Sequence, residues 1–273
     1  MNTLPFENDA RLVTPEQTRA FQANGAVLLP GLFRDWVEVI AEGIEHNMRE
    51  PGPYAAENLA DGESGRFFDD YCNWQRIPAF RRVIEESGVA QAAGELMQSQ
   101  RVQLFHDHVL VKEPGTVKAT PWHQDAPYYF VEGEQTVSFW VPVDPVQQST
   151  LRLIAGSHRW DKLVLPVRWL SDEDFYPDSA DYLPVPDPDA EPDRFEVLEW
   201  PMQPGDAVAF HYRSVHGARG NTTQSRRRAF SLRLLGDDAR YVSRPGPTSP
   251  PYPGHGMQDG QVLREDWFPF LKR

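Results

Sequence analysis

The feature that most constrains the fold is a change of periodicity near Arg101. Before it, apolar residues recur at helical spacing; after it, they alternate. Segments 101–112, 121–126, 136–143, 150–155, 195–200, 206–211 and 226–235 read as short strands separated by Pro-Gly, Gly-Ser and Gly-Asp turns. A run of antiparallel strands after a helical lead-in predicts a β-sandwich or barrel with helices on its outer face. Nineteen glycines and 25 prolines favour short strands and turns over a helical bundle.

The lead-in carries its own punctuation. Thr14-Pro15-Glu16-Gln17 reads as a capping box with proline at the first helical position, and Asn24-Gly25 as the stop. Asp35, with Glu38 three residues on, is expected to open a second helix whose apolar stripe is Val37, Ile40, Ala41, Ile44 and Met48. Pro78 to Ser99 predicts a third helical region broken near Ser87-Gly88. We read residues 1–273 as one domain: a mostly helical flank (1–100), a β core (101–241) with a lid-like insertion (161–194), and a tail (242–273). Trp267-Phe268-Pro269-Phe270 in that tail is expected to dock on the body.

Charge and cysteine content exclude several classes. The 27 basic against 40 acidic residues give a formal charge of −13, which repels nucleic acid and anionic membranes alike. A single cysteine, Cys72, forms no internal disulfide and fits a reducing compartment. Met1–Asp9 has neither a basic nor an apolar leader region, and no apolar run is long enough to span a bilayer. A cytoplasmic address and a small-molecule partner follow as expectations.

The candidate chemistry begins at His123-Gln124-Asp125. Residues two apart on a strand share a face, so an imidazole and a carboxylate are expected to converge there. His216 follows in Phe210-His211-Tyr212-Arg213-Ser214-Val215-His216-Gly217. Two histidines and one carboxylate on one side of a metal leave three positions open, the arrangement of non-haem Fe(II) oxygenases. Alone, His-x-Asp is weak, and a turn histidine beside a surface aspartate is the plainer alternative.

The last strand adds to it. Arg227, Ala229 and Ser231 share one face; Phe230, Leu232 and Leu234 share the other and should pack on the helices. Small residues beside a guanidinium suit a cavity with a carboxylate clamp. The alternative is three solvated arginines, Arg226 to Arg228, at a strand end. Arg233 has the same parity and faces either a substrate acid group or the surface. His106 and His108 mimic a metal pair but lack a third ligand, so a pocket-lining role is preferred. His211 and His158 read as structural. Tyr128-Tyr129-Phe130 either line a pocket or are ordinary strand aromatics.

Taken together, His123-Gln124-Asp125, His216-Gly217, Asn221, Arg227, Gly156-Ser157-His158 after Leu151, Lys112-Glu113-Pro114-Gly115 and Pro204-Gly205-Asp206 resemble the phytanoyl-CoA dioxygenase family, from Phe21 to about Gly236. The resemblance implies a double-stranded β-helix core, jelly-roll and cupin-like. It implies Fe(II) held by His123, Asp125 and His216, with O2 and 2-oxoglutarate as cosubstrates. Arg227 would bind the distal carboxylate of 2-oxoglutarate, and Trp140, His108 and Lys112 would lie near the cosubstrate. By parity Trp140 faces the lumen with Ser138, or else is a plain core tryptophan. Ala218 stands where some members carry a hydroxyl residue, and Ser149-Thr150-Leu151 replaces the usual Asn-Gly-x-Leu turn. Asp125 argues against the halogenating relatives, whose small residue there leaves room for chloride.

The implied activity is hydroxylation of a small organic metabolite with release of succinate and CO2. The lack of a basic landing strip argues against a CoA thioester as substrate. The same centre could instead desaturate, cyclise or epimerise, and a metal-free jelly-roll binding module is the alternative from another class. The 161–194 segment and Cys72-Asn73-Trp74 are the expected gating elements.

Overall fold

The first helix is built as its sequence predicts. The Thr14 hydroxyl accepts from the Gln17 amide at 3.2 Å, the Gln17 side chain accepts from the Thr14 amide at 2.8 Å, and Gly25 ends the helix at φ 74°. Glycine is required there twice over, since a β-carbon would also lie 2.4 Å from the His158 ring.

The computed structural model describes residues 11–272 except 60, 61, 63, 170–172 and 177–180. The reading of Met1–Asp9 and those parts of the expected insertion lie outside the described residues. The chain runs α1 (Pro15–Asn24), β1 (Ala26–Leu29), α2 (Val37–Arg49), β2 (Ala56–Glu57), β3 (Phe67–Tyr71), α3 (Pro78–Glu86), α4 (Val89–Met97), β4 (Val102–Lys112) and β5 (Thr120–His123). It continues through β6 (Val131–Glu132), β7 (Thr136–Pro142), β8 (Leu151–Ile154), β9 (Val197–Glu199), β10 (Ala207–Phe210), β11 (His216–Ala218), β12 (Arg227–Leu235), β13 (Arg240–Tyr241) and β14 (Phe270–Lys272).

Each of the seven strands read from the sequence is present. The second helix begins differently. Asp35 lies inside a 3₁₀ turn, Arg34–Trp36, and α2 starts at Val37 without a side-chain cap. The turn is closed by Trp36 N–H donating to Phe33 C=O, which takes the place of a cap.

Two antiparallel sheets form the jelly-roll. The larger has the order β1-β10-β7-β12-β4-β3-β2, with β14 also on β4; the smaller is β5-β11-β8-β9. The outer face of the large sheet is covered by the helices. Phe230, Leu232 and Leu234 of β12 join Ile40, Ile44, Phe80, Val83 and Leu96 in one buried cluster, as their parity predicted. Phe268 is fully buried and β14 pairs with β4 at Gln103, so the tail does dock.

A bulge in β4 decides which side chains reach the lumen. Arg233 pairs with His106 but Leu234 pairs with Leu104, leaving Phe105 as the extra residue. Lumen-facing parity is thus even from His106 to Lys112 and switches before it. Phe105 turns into a second aromatic cluster with Tyr129, Phe130 and Phe268.

Candidate metal centre

His123 ends β5 and His216 opens β11, and the two are direct partners across the ladder, which brings their rings to 4.2 Å between centroids. Asp125 joins them by a different route from the one expected. The strand stops at His123, and Asp125 sits in the right-handed helical region, φ −71° and ψ −39°, at the start of a 3₁₀ turn. A turn, not strand parity, aims the carboxylate. Asp125 Oδ1 lies 3.8 Å from Nε2 of each histidine, and the ligand atoms of all three fall within 4.8 Å of one another.

The backbone fixes both imidazoles. Nδ1–H of His123 donates to the Pro121 carbonyl at 2.8 Å, and Nδ1–H of His216 to the Ser214 carbonyl at 2.9 Å. Each ring is left with a bare Nε2 turned to the cluster, the usual support for a metal-ligating histidine. Burial, then the neighbouring His216, pushes His123 down to about 3, and burial also lowers His216. Burial opposes ionisation of Asp125, but Arg233 and the two imidazoles overcome it and hold the carboxyl well below its usual range. Two neutral imidazoles and one carboxylate are the protonation states a divalent metal requires. The residues present fit Fe(II).

Asp125 Oδ2 is held away from the cluster. It accepts from Ser138 Oγ at 3.2 Å and meets Arg233 Nη2 at 3.4 Å, while Arg233 Nε donates to the Tyr129 hydroxyl at 3.1 Å. Arg233 is therefore in the wall of the site and not at the surface.

The cluster opens into a cavity of about 400 Å³ between the two sheets. At one end is Arg227, buried, with a single long donation from Nη1 to the Ser149 carbonyl at 3.3 Å and an unpartnered Nε. Its guanidinium stands 5.5 Å from the Trp140 ring centre, and no carboxylate pairs with it among the described residues. Burial pushes Arg227 down to about 10. The flanking arginines behave otherwise: Arg226 pairs with Glu45 and Glu113, and Arg228 with Glu45 and Asp144.

Trp140 lines the cavity, as parity required. His108 lines it too, its Nε2–H donating to Asp69 at 2.9 Å. Lys112 is the register partner of Arg227, yet it is fully buried outside the cavity lining, donating to the Arg219 carbonyl at 3.2 Å and standing 4.5 Å from the Phe67 ring centre. Burial, then Arg227, lowers Lys112 to about 6. His211 donates to the Glu134 carbonyl and is structural, and His158 meets the Gln22 carbonyl. The Cys72-Asn73-Trp74 turn is pinned by Asn73 and Trp74 amides on the Asp107 carboxylate. From the 161–194 segment, Trp169 approaches His123 to 5.1 Å between ring centroids. The sequence did not single out Asp69 and Tyr71, because β3 carries no motif and Phe67-Phe68-Asp69-Asp70-Tyr71 shows no apolar–polar alternation.

A profile of the family described as phytanoyl-CoA dioxygenase (PhyH) matches residues 21–229. The chain belongs to the phytanoyl-CoA dioxygenase family. A probable phytanoyl-CoA dioxygenase of Caenorhabditis elegans is 24% identical over 270 residues, covering 89% of this chain and 82% of the relative. Among solved structures, the non-haem α-ketoglutarate-dependent epimerase SnoN from nogalamycin biosynthesis superposes with a TM-score of 0.73 at 21% identity, covering 94% of this chain and 95% of that one. EctD from S. alaskensis with 2-oxoglutarate and 5-hydroxyectoine gives a TM-score of 0.69 at 20% identity, covering 95% and 89%. At such identities the likeness to the solved structures is one of fold. Family membership and the His–Asp–His cluster together make this chain an Fe(II)- and 2-oxoglutarate-dependent oxygenase of the phytanoyl-CoA dioxygenase family.

Proposed function

We propose that this phytanoyl-CoA dioxygenase family member hydroxylates a small organic metabolite, with His123, Asp125 and His216 holding the iron and Arg227 binding the distal carboxylate of 2-oxoglutarate. The observation that carries the reading is the buried Arg227, without a carboxylate partner among the described residues, in the same cavity as the cluster. A lone buried cation is costly, and a dianionic cosubstrate is the partner that offsets it. Bound iron would supply the activation of O2 and the oxidising power; the chain supplies position and exclusion of water.

Arg227 fixes one end of the cosubstrate, and Trp140 forms the wall beneath the guanidinium. Lys112, behind Arg227, adds positive charge once an anion arrives, and His108 orders the wall through Asp69. Arg233 and Ser138 keep Asp125 Oδ2 occupied, so that one oxygen faces the metal. Trp169 packs against the His123 ring, and the described part of the 161–194 segment acts as the lid. The half-buried Cys72 is free, which suits the cytosol; no helix among the described residues is long and apolar enough to cross a membrane.

Anaerobic titration of the apo-protein with Fe(II) and 2-oxoglutarate tests the assignment. The expected result is a weak visible charge-transfer band, lost in His216→Ala and shifted to higher 2-oxoglutarate demand in Arg227→Ala. A folded, metal-loaded wild type with no band would overturn it. Product mass then separates hydroxylation from desaturation, cyclisation or epimerisation.

A further inference from the structure

Two buried polar atoms on the cavity wall have no partner among the described residues and no role in the centre assigned above: His106 Nε2 and Arg233 Nη1. Their residues are direct partners across β4 and β12, so both side chains project from one face, and both line the cavity. The other nitrogen of His106 is committed, since Nδ1–H donates to the Asp107 carbonyl at 3.1 Å. Nε2 is thus a bare acceptor. Arg233 uses Nε on the Tyr129 hydroxyl and Nη2 on Asp125, which leaves Nη1 as a donor. The surroundings are aromatic: Tyr71 and Tyr129 both contact the His106 ring, and Tyr54 stacks on Tyr71.

We infer that the substrate presents an uncharged hydroxyl to this pair, its O–H donating to His106 Nε2 and its oxygen accepting from Arg233 Nη1, with an apolar body against the tyrosines. The inference rests on the oxygenase reading above. A hydroxyl is both donor and acceptor, so it satisfies both atoms at once. A carboxylate or phosphate offers acceptors alone and sets lone pair against lone pair at His106. Protonating His106 does not rescue that fit, because burial, then Arg233, pushes it well below its ordinary value. An ammonium group offers donors alone and meets a guanidinium. Leaving buried polar atoms unmatched is what makes such a site selective.

The test uses the Fe(II)- and 2-oxoglutarate-loaded enzyme with cyclohexanol, trans-1,2-cyclohexanediol, cyclohexanecarboxylate and cyclohexylamine as probes. Perturbation of the charge-transfer band and probe-dependent succinate formation are read together. The alcohols should act at concentrations at least about tenfold below both charged probes. His106→Phe, which removes the acceptor, should erase that preference, and His106→Gln, whose carbonyl can accept, should retain most of it. An equal or stronger response to the carboxylate or the amine overturns the inference, as does silence of both alcohols or a preference that survives in His106→Phe. A wild type with no band at all overturns the oxygenase reading, and this inference with it; a normal band with the wrong probe order overturns the inference alone.

Discussion

Arg227 and Arg233 project from the same face of β12, and both are buried, at 3% and 5% exposure. Their environments are opposite. Burial pushes Arg227 down to about 10, with no carboxylate among the described residues to oppose it. Burial works against the charge on Arg233 as well, but Tyr129 and Asp125 overcome it and the pKa is raised. Residue type, parity and burial are therefore shared, and the partner alone separates the roles. An unpaired guanidinium at the end of a cavity is a place for an anion that comes and goes. A paired one is part of the wall, and here it orients a metal ligand.

If the partner alone separates the two arginines, their substitutions should have opposite phenotypes. Arg227→Met should weaken 2-oxoglutarate binding by about 2–5 kcal/mol, the cost of truncating one partner of a buried charge pair. Its melting temperature without cosubstrate should be no lower than that of wild type, because the variant removes a buried charge that lacked a partner. Titration of the charge-transfer band and a thermal melt check the two halves separately. Arg233→Met should do the reverse. It strands Asp125 in the interior, so the melting temperature should fall and Fe(II) affinity should drop roughly 10–100-fold. The 2-oxoglutarate concentration needed at saturating iron should change far less. Iron-binding isotherms of both variants read this out, and equal losses of iron and cosubstrate in both would erase the distinction.

The sequence made one of these arginines legible and left the other ambiguous. Arg227 was singled out because strand parity and the family pattern agree on it, and its buried guanidinium does line the cavity. Arg233 shared the parity, but its role depends on Asp125 and Tyr129, which come from a distant turn. The same limit applies to Asp125. His-x-Asp was read as strand alternation, whereas a 3₁₀ turn after His123 does the aiming. The β4 bulge at Phe105 was equally hidden, since one extra residue shows only against its partner strand. The helices, the seven strands and the two-layer core were legible because each is written in local periodicity, with a cap as well at α1. The cavity wall was not, because β3 and the 161–194 segment meet it through tertiary packing alone.

Lys112 reports on the charge at Arg227. It sits opposite Arg227 and its pKa is lowered from 10.5 to about 6 in the folded protein. Between those values the unfolded chain binds one proton more than the native state, so this residue makes stability rise with pH. Its cost is complete below about pH 6 and fades towards the unfolded value. Lys112→Met should therefore stabilise the protein by roughly 3 kcal/mol more at pH 7 than at pH 9. Denaturant melts at the two pH values measure it. Adding 2-oxoglutarate should shrink the difference, because a carboxylate on Arg227 favours the charged lysine. No change on adding cosubstrate would place the anion elsewhere.

The smallest effect belongs to the Arg233 side. Ser138→Ala removes one donor to Asp125 Oδ2 and leaves Arg233 on the same oxygen. A single hydrogen bond of this kind is worth about 1 kcal/mol, or roughly fivefold in iron affinity. Ser138→Ala should thus weaken Fe(II) binding several-fold without altering 2-oxoglutarate demand. The double variant with Arg233→Met should lose more than the two single losses added together, because the second change removes the other of these two partners of Oδ2 and loosens the carboxylate. A double-mutant cycle on iron affinity decides it. Strict additivity would mean that Arg233 and Ser138 do not act through the same oxygen, and any effect of Arg233 on iron affinity would then reach the metal by a route other than Asp125 Oδ2.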